Sequence, residues 1–365
     1  MSFFNTLKLS TLWRIVSQVN VDEIREDVVR PFHLLVVAED ESDASTLAAH
    51  LSDGDAAFIH PWITAATPDA VDVAQAQAHI DFALVLTPSV ELTAPMQETY
   101  RRLTALRVPV LIVVTGSAAA TPGAALSRRG EEKRVLAPEF NAATVRKQIP
   151  EAIVALALPS LRLALAHRLP PLRPAAFQQL IQETAQVNAT YAFSTGIAEV
   201  IPGLGIPLNV SDLIVLTKNQ LVMAYKIAVM AGKQGSPQHL LGEIMGVLGG
   251  GFLFRQLARE LVGLIPVWGI APKVAVSYAG TWAIGEAVVL WAVEGRKITP
   301  DLLRQFFDDA LARGQAVAQR LTGDLRKRLP KPSDQAPHDQ PAKAVEAEPL
   351  WKRLQRRLPL RRSSK

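Results

Sequence analysis

The chain has 365 residues, of which 49% are hydrophobic and 20% are charged, and its formal net charge is +5. This length is enough for two or three domains, and the composition lies between those of apolar soluble proteins and polar membrane-associated proteins. The absence of cysteine excludes disulfides, thiol chemistry and thiolate metal sites.

Residues 1–30 are predicted to contain an N-terminal amphipathic helix. Its apolar residues recur at roughly helical spacing: Phe3, Phe4, Leu7, Leu12, Ile15, Val16 and Val19. Lys8 and Arg14 interrupt the apolar run, so the segment lacks the core of a secretory signal, and we expect no export. A helix that packs on a neighbouring element is favoured over a membrane anchor.

Residues 31–158 show the alternation of strands and helices that is typical of an α/β domain. The predicted strands are Phe32–Val37, Asp81–Thr87, Val108–Thr115 and Arg134–Pro138, and the predicted helices cover residues 45–51, Ala94–Leu106 and Ala142–Leu158. Apolar runs such as FHLLVV are typical of strands buried in a parallel sheet. The order of elements predicts a parallel sheet with helices on both faces.

The order of elements resembles a small Era-like GTPase domain. The P-loop pattern GxxxxGK[ST] can be aligned without a gap from Ala38 to Ser45. In that alignment Asp43 replaces the second glycine and Ala44 replaces the lysine, while Ser45 keeps the hydroxyl. Since a P-loop uses glycines and a lysine to hold phosphate, the resemblance implies the fold without the activity.

Four carboxylates follow the first strand, at Glu39, Asp40, Glu41 and Asp43. The guanine-reading NKxD motif is also replaced, by TGSA at residues 115–118. We therefore expect neither nucleotide binding nor hydrolysis. The acidic loop 39–43 could in principle bind a divalent cation, but a solvated loop is favoured.

No catalytic, cofactor-binding or metal-ligating residue is assigned from the sequence. The seven histidines have no HxxxH or HxH spacing, and no GxSxG nucleophile pattern is present. The chain is therefore expected to need no cofactor and not to be an enzyme.

The proline- and arginine-rich segment 159–174 is predicted to join the α/β domain to a helical domain over residues 175–322. The central stretch of that domain is Gly196–Gly232, where a helix is expected from Asn209 until Gly232 ends it. Asp212, Asn219 and Lys226 lie seven residues apart and share one thin polar line. The other faces are apolar, so this helix is expected to be buried on nearly all sides.

Residues Ala175–Glu294 resemble an uncharacterised bacterial family of helical domains. The stretch that carries the resemblance is FSTGIAEVIPGLGIPLNVSDLIVLTKNQLVMAYKIAVMAG. Domains of this family are often fused behind Era-like GTPase domains and also occur in predicted inner-membrane proteins. The resemblance implies a helical, membrane-associated domain and no specific activity.

Small residues recur every four positions in two series within this helical region. The series are Gly242, Gly246 and Gly250, and Ala275, Ala279, Ala283 and Ala287. Both are predicted to be faces where helices pack closely. The segment Val274–Val293 has the length of a membrane span, but Glu286 disfavours simple spanning unless it faces other helices.

The C-terminal part begins with Thr299-Pro300-Asp301, a strong helix start, and the helix is expected to run to about Leu321. Residues 323–349 are predicted to be a disordered linker. Residues 350–365 form a basic amphipathic tail with Trp351, which suits anionic lipid headgroups. A merely solvated tail is an equal alternative, and nucleic acid is the weakest of the three.

Together these features predict a degenerate GTPase-like α/β domain followed by a hydrophobic helical domain. The expected function is that of a non-catalytic, membrane-associated scaffold or regulatory protein at the cytoplasmic face. Such a protein would act with a protein partner, a GTPase or a second copy of itself. The alternatives are a divergent GTP-binding protein and a soluble, cytoplasmic helical interaction protein.

Overall fold

A parallel sheet with helices forms the first part of the fold. The computed structural model describes residues 21–52, 58–71, 80–89, 91–115, 127–129, 132–137, 142–200, 210–247 and 270–328. The elements up to the end of the sheet are α1 (Val21–Val29), β1 (Leu34–Ala38), α2 (Glu41–Ser52), β2 (Ile63–Ala66), β3 (Phe82–Thr87), α3 (Ala94–Ala105), β4 (Val110–Thr115), β5 (Ser127–Arg129) and β6 (Glu132–Ala137).

The strand order across the sheet is β2-β1-β3-β4-β6-β5. The first five strands of this row are mutually parallel, and β5 pairs antiparallel with β6 at one edge. The order reverses between β1 and β3, as it does in flavodoxin-like doubly wound sheets. The predicted parallel sheet with helices is therefore confirmed, within a mixed α/β protein that is mostly helical.

The two faces of the sheet carry separate hydrophobic clusters because successive strand residues point to opposite sides. Leu34 and Val36 of β1 face a cluster that includes α2 and the helices that follow the sheet. Leu35 and Val37 face the opposite cluster, which contains Met96 and Leu103 of α3. The continuous apolar runs of the sequence thus reflect strands that are covered on both sides.

Two strands escaped prediction because both are short. β2 has four residues, ITAA, and β5 has three. Neither is long enough to show a period in the sequence, and each exists because a longer neighbour offers backbone partners, β1 for β2 and β6 for β5. The four longer strands were predicted, with ends within two residues of the observed ones.

In the described part of the chain, seven helices follow the sheet. They are α4 (Ala142–Leu156), α5 (Pro159–Arg168), α6 (Arg173–Val200), α7 (Val210–Met230), α8 (Pro237–Val247), α9 (Ile270–Glu294) and α10 (Pro300–Arg328). A short 3-10 turn, Pro170–Leu172, lies between α5 and α6. Segment 159–174, which was predicted to join two domains, is therefore itself helical over most of its length.

The end of α7 and the start of α10 follow the known residue preferences for helix capping. Gly232 has a φ of 86°, a conformation that favours glycine, and ends α7 as predicted. The amide of Lys233 donates to Ala228 O at 3.0 Å, which closes the turn after the helix. At the start of α10, the amide of Leu302 donates to Thr299 Oγ1 at 3.3 Å, so the predicted cap is confirmed.

Helices α6 and α9 run antiparallel and form the centre of the helical region. Their contacts follow one another along both helices: Gln178 with Glu286, Ile181 with Gly285, Asn188 with Thr281 and Thr195 with Lys273. Helix α7 packs against both. The apolar cluster between them includes the fully buried Tyr225.

The alanine series of α9 is buried as predicted, with exposures of 3% at Ala275 and 0% at Ala279, Ala283 and Ala287. The glycine series has no packing partner among the residues that the structure describes: a Cβ added at Gly242 or Gly246 would meet none of their atoms within 4 Å. Gly250 lies outside the described residues. Spacing reveals a shared face of a helix but does not reveal whether another helix covers that face.

The close approaches occur at two other glycines. A Cβ at Gly285 would lie 2.5 Å from Ile181 Cγ1, and a Cβ at Gly314 of α10 would collide with the backbone oxygen of Ala275. Neither glycine belongs to a four-residue series. The absence of a side chain lets α9 pack on α6 at Gly285 and on α10 at Gly314.

Within the described part of the chain, α9 is the helix that is long and apolar enough to cross a membrane. In this fold, 72% of its most apolar 18-residue stretch is buried inside the protein. Length and composition therefore give weak evidence of membrane association, because a core helix satisfies the same criteria.

The chain divides into two compact units, Met1–Asp324 and Leu325–Lys365. In the first, α4 and α5 contribute to both the sheet core and the helical core. Ile153 and Leu165 pack in the former, and Val154 and Leu163 in the latter. Of the second unit, only the last four residues of α10 are described. The predicted linker, the basic tail and the helix at residues 2–19 lie outside the described residues.

Candidate functional site

The carboxyl edge of the sheet, between β1 and β3, is the position where doubly wound folds bind ligands. Glu39 and Asp40 follow β1, and Pro88 and Ser89 follow β3. This edge is also where the sequence places its resemblance to a P-loop. Its geometry decides whether a phosphate could be held there.

The expected acidic loop 39–43 is largely a helix, which corrects the prediction. Helix α2 begins at Glu41, four residues before the predicted start, so only Glu39 and Asp40 separate it from β1. Asp40 caps the helix, because its Oδ1 accepts the amide of Ser42 at 2.9 Å. Glu41 and Asp43 occupy the first turn, where the helix dipole favours acidic residues.

Ala44, which is aligned with the P-loop lysine, has no exposed surface and packs in the sheet core. A lysine at this position would be buried among apolar side chains. Ser45, the one residue that matches the motif, lies inside α2. The matching residue types therefore do not lie on a loop that could surround a phosphate.

The polar groups that follow β3 bond to one another. Thr87 Oγ1 accepts the amide of Ser89 at 3.2 Å, and Ser89 Oγ accepts the amide of Glu91 at 3.2 Å. Thr115, at the end of β4, donates its hydroxyl to Thr87 O at 3.4 Å. The rest of the segment at the NKxD position, residues 116–118, lies outside the described residues.

A second group of polar side chains lies between α6, α7 and α9, with Asn188 and Thr281 buried and Asn219 and Gln220 partly buried. Asn188 has no exposed surface, and its Nδ2 donates to Thr281 Oγ1 at 2.9 Å. Asn219 Nδ2 donates to Asn188 Oδ1 at 2.8 Å, and Gln220 Nε2 donates to Thr281 Oγ1 at 3.1 Å. Thr281 donates to Ser277 O at 2.9 Å. We call Asn188, Asn219, Gln220 and Thr281 the amide network.

The amide network connects three helices. Because buried polar groups need hydrogen-bond partners, the network fixes the position of each helix along the axis of its neighbours. The predicted polar line on α7 indicated one of its members, Asn219. Lys226 of that line is half-buried, and the side chain of Asp212 lies outside the described residues. Asn188 and Thr281 gave no signal, since they are separated by 93 positions and neither belongs to a spacing pattern or motif in its helix.

A groove of about 550 Å³ lies between α4 and α6. Lys147, Gln148 and Glu151 line it on one side, and Gln178 and Gln182 on the other. Gln148 Oε1 is buried with no hydrogen-bond partner among the described residues, whereas Gln178 donates to Glu286 Oε1 at 2.9 Å. The carboxylate in the apolar segment of α9 thus contacts another helix, as its sequence context required.

Aromatic rings and two histidines gather at the opposite, amino edge of the sheet. Phe32 precedes β1, and His60 and Trp62 precede β2. The His60 and Trp62 ring centroids are 5.6 Å apart, and the Phe32 and Trp62 centroids are 5.1 Å apart. The Arg168 guanidinium lies 4.8 Å from the Trp62 ring centroid. Sequence reasoning did not identify this cluster, because its members come from separate segments.

The surroundings of His60 at this edge shift the pKa of its side chain. Burial, and secondarily the positive charge of Arg168, lower the pKa of His60 below its ordinary value. The amide of Trp62 donates to His60 Nδ1 at 3.2 Å, so that nitrogen carries no proton in this arrangement. His60 is therefore held in its neutral form.

Among the described residues, no group of three or more His, Cys, Asp or Glu side chains is arranged to hold a metal ion. No protein-family model matches the chain, and no curated protein sequence does. Inferences about function therefore rest on the residues of this chain and on their contacts.

Proposed function

We propose that this protein is a non-catalytic, membrane-associated scaffold or regulatory protein that acts with a partner protein or a GTPase. In this proposal its α/β part is a degenerate GTPase-like domain that serves as a binding surface. Its helical part belongs with the bacterial helical domains that it resembles. The protein works at the cytoplasmic face of the membrane.

The proposal rests on the charges and hydrogen bonds of the segment that connects β1 to α2. A phosphate site at this position needs backbone amides that face outward and a nearby cation. Here the Asp40 side chain accepts the amide of Ser42, and Glu41 and Asp43 add negative charge to the first turn. A nucleotide phosphate would meet carboxylates where it needs donors.

The membrane part of the proposal is supported by the length and apolar composition of α9 and by the sequence of the basic tail. The burial of α9 favours a second candidate, a soluble helical interaction protein in which this helix is simply core. The two candidates differ in whether the protein binds lipid, and the tail experiment in the Discussion separates them.

Calorimetric titration with GTP and Mg²⁺ tests the non-catalytic part. We expect no heat of binding, and no release of phosphate in a parallel hydrolysis assay. Micromolar affinity would overturn the proposal. If binding occurred and Ser45→Ala abolished it, the segment after β1 would be identified as a working nucleotide site.

A further inference from the structure

The segment Phe58–Trp62 attaches to the fold at two residues: the carbonyl oxygen of Trp62 accepts the amide of Leu34 at 2.9 Å, and His60 holds the residues before it. The amide of His60 donates to Ser52 Oγ at 2.7 Å, which links the segment to α2. Its ring accepts the amide of Trp62 and contacts the rings of Phe32, Phe58 and Trp62. Phe58 is 51% exposed and Ile59 is 37% exposed, so they give this segment little other burial.

We propose that His60 is a pH-sensitive latch: when neutral it holds residues 58–60 against the amino edge of the sheet, and when protonated it releases them. Protonation at Nδ1 removes the acceptor that the Trp62 amide uses. It also places a second positive charge beside the ring on which Arg168 lies. Trp62 stays bonded to Leu34, and departure of the His60 ring uncovers the Phe32 ring, which is buried in the closed form.

Three other charged or titratable groups have contacts that place them at this edge. Arg168 comes from α5 and stays positive. The ring of His33 lies 3.0 Å from Thr64 Oγ1 through Nε2, and Asp81 Oδ2 accepts the backbone amide of His33 at 2.9 Å. The contacts of His33 involve β2 and the start of β3 rather than the Phe58–Trp62 segment, so His33 serves as a control for acid effects at the same edge.

The direction of the pH effect follows from the lowered pKa of His60 in the closed form. The released segment leaves His60 near its ordinary pKa of 6.5, so the open form takes up a proton more readily. Closure is therefore fully favoured above that pH and weakens as the pH falls below it. Each unit by which the closed form lowers the pKa raises the ratio of open to closed forms by at most about tenfold.

Native-state hydrogen exchange between pH 7.5 and 5 tests the latch. The protection factor of the Trp62 amide, corrected for intrinsic exchange, is expected to fall with pH while that of Ile112 in β4 stays level. His60→Asn, whose Oδ1 can replace the Nδ1 acceptor without titrating, should remove the fall. His33→Asn should retain it, and Arg168→Gln should make it smaller.

Parallel loss of protection at Trp62 and Ile112 would mean global acid unfolding and would overturn the latch. An unchanged fall in His60→Asn, or constant protection of Trp62 in the wild type, would overturn it as well. If His60→Asn does not fold, the wild type and His33→Asn still decide, since a fall that His33→Asn abolishes would assign the pH effect to His33 and contradict the latch.

Discussion

At the scale of single residues, the glycine at position 314 has a role that its neighbours in the sequence do not reveal. Gly314 faces the backbone of Ala275, which cannot move aside as the end of a side chain could. Gly323 lies in the same helix, and a Cβ there would meet no atom of the described residues within 4 Å. Substitutions at these two positions therefore distinguish the cost of overpacking from the gain in helix propensity.

Gly314→Ala is expected to lower the free energy of unfolding by about 1–3 kcal/mol, the usual cost of overpacking. Gly323→Ala is expected to raise it by up to about 1 kcal/mol, because alanine favours the helix. Urea unfolding of both variants, monitored by circular dichroism, measures the difference. Equal stabilisation by both substitutions would show that α9 and α10 do not approach closely at Gly314.

At the scale of elements, the amide network specifies how α6, α7 and α9 align. Apolar contacts alone would tolerate a shift of one helix along another, because neighbouring turns present similar side chains. A shift would leave Asn188 and Thr281 buried without partners, at about 1–3 kcal/mol for each group. The network thus selects one alignment among several that the apolar residues permit.

Asn188→Ala removes the central member of this network and is expected to destabilise the protein by about 1–3 kcal/mol. Combined with Asn219→Ala, it should show a coupling energy of about 0.5–3 kcal/mol in a double-mutant cycle. Ser194→Ala is the control, since Ser194 is exposed and donates to Thr190 O of its own helix. Strict additivity of the two asparagine substitutions would contradict the network.

At the scale of the whole molecule, α4 and α5 share their apolar residues between the sheet core and the helical core. The proposed α/β and helical domains therefore have no exposed linker between them at residues 159–174. A substitution in these helices is expected to affect both regions.

Deleting Trp351–Lys365 is predicted to weaken binding to anionic vesicles while leaving the circular dichroism of the fold unchanged. Each basic residue near such a surface contributes about 1 kcal/mol, so the difference should shrink as salt is raised. Flotation with anionic and with zwitterionic vesicles measures it. Equal binding by full-length and truncated protein would discard the role of the tail, and no binding by either would favour the soluble candidate.

The elements that the sequence predicted have signals within a few adjacent residues. The runs FHLLVV and VPVLIVVT mark β1 and β4, Thr299 marks the start of α10, and Gly232 marks the end of α7. The sequence also identified a degenerate motif after β1, although it placed the start of α2 four residues too late. No site residue was predicted, and the group of aromatic rings and histidines at the amino edge of the sheet was not identified from the sequence.

The sequence by itself determined the order of the four longer strands, the parallel sheet and the apolar character of the long helices, because periodicity, capping and turn residues act locally. The tertiary structure alone decided the pairing of β2, the partner of Asn188, the close approach at Gly314 and the environment of His60. Each of these depends on which distant segments meet, and the energy of such a contact belongs to the pair of segments rather than to either sequence alone.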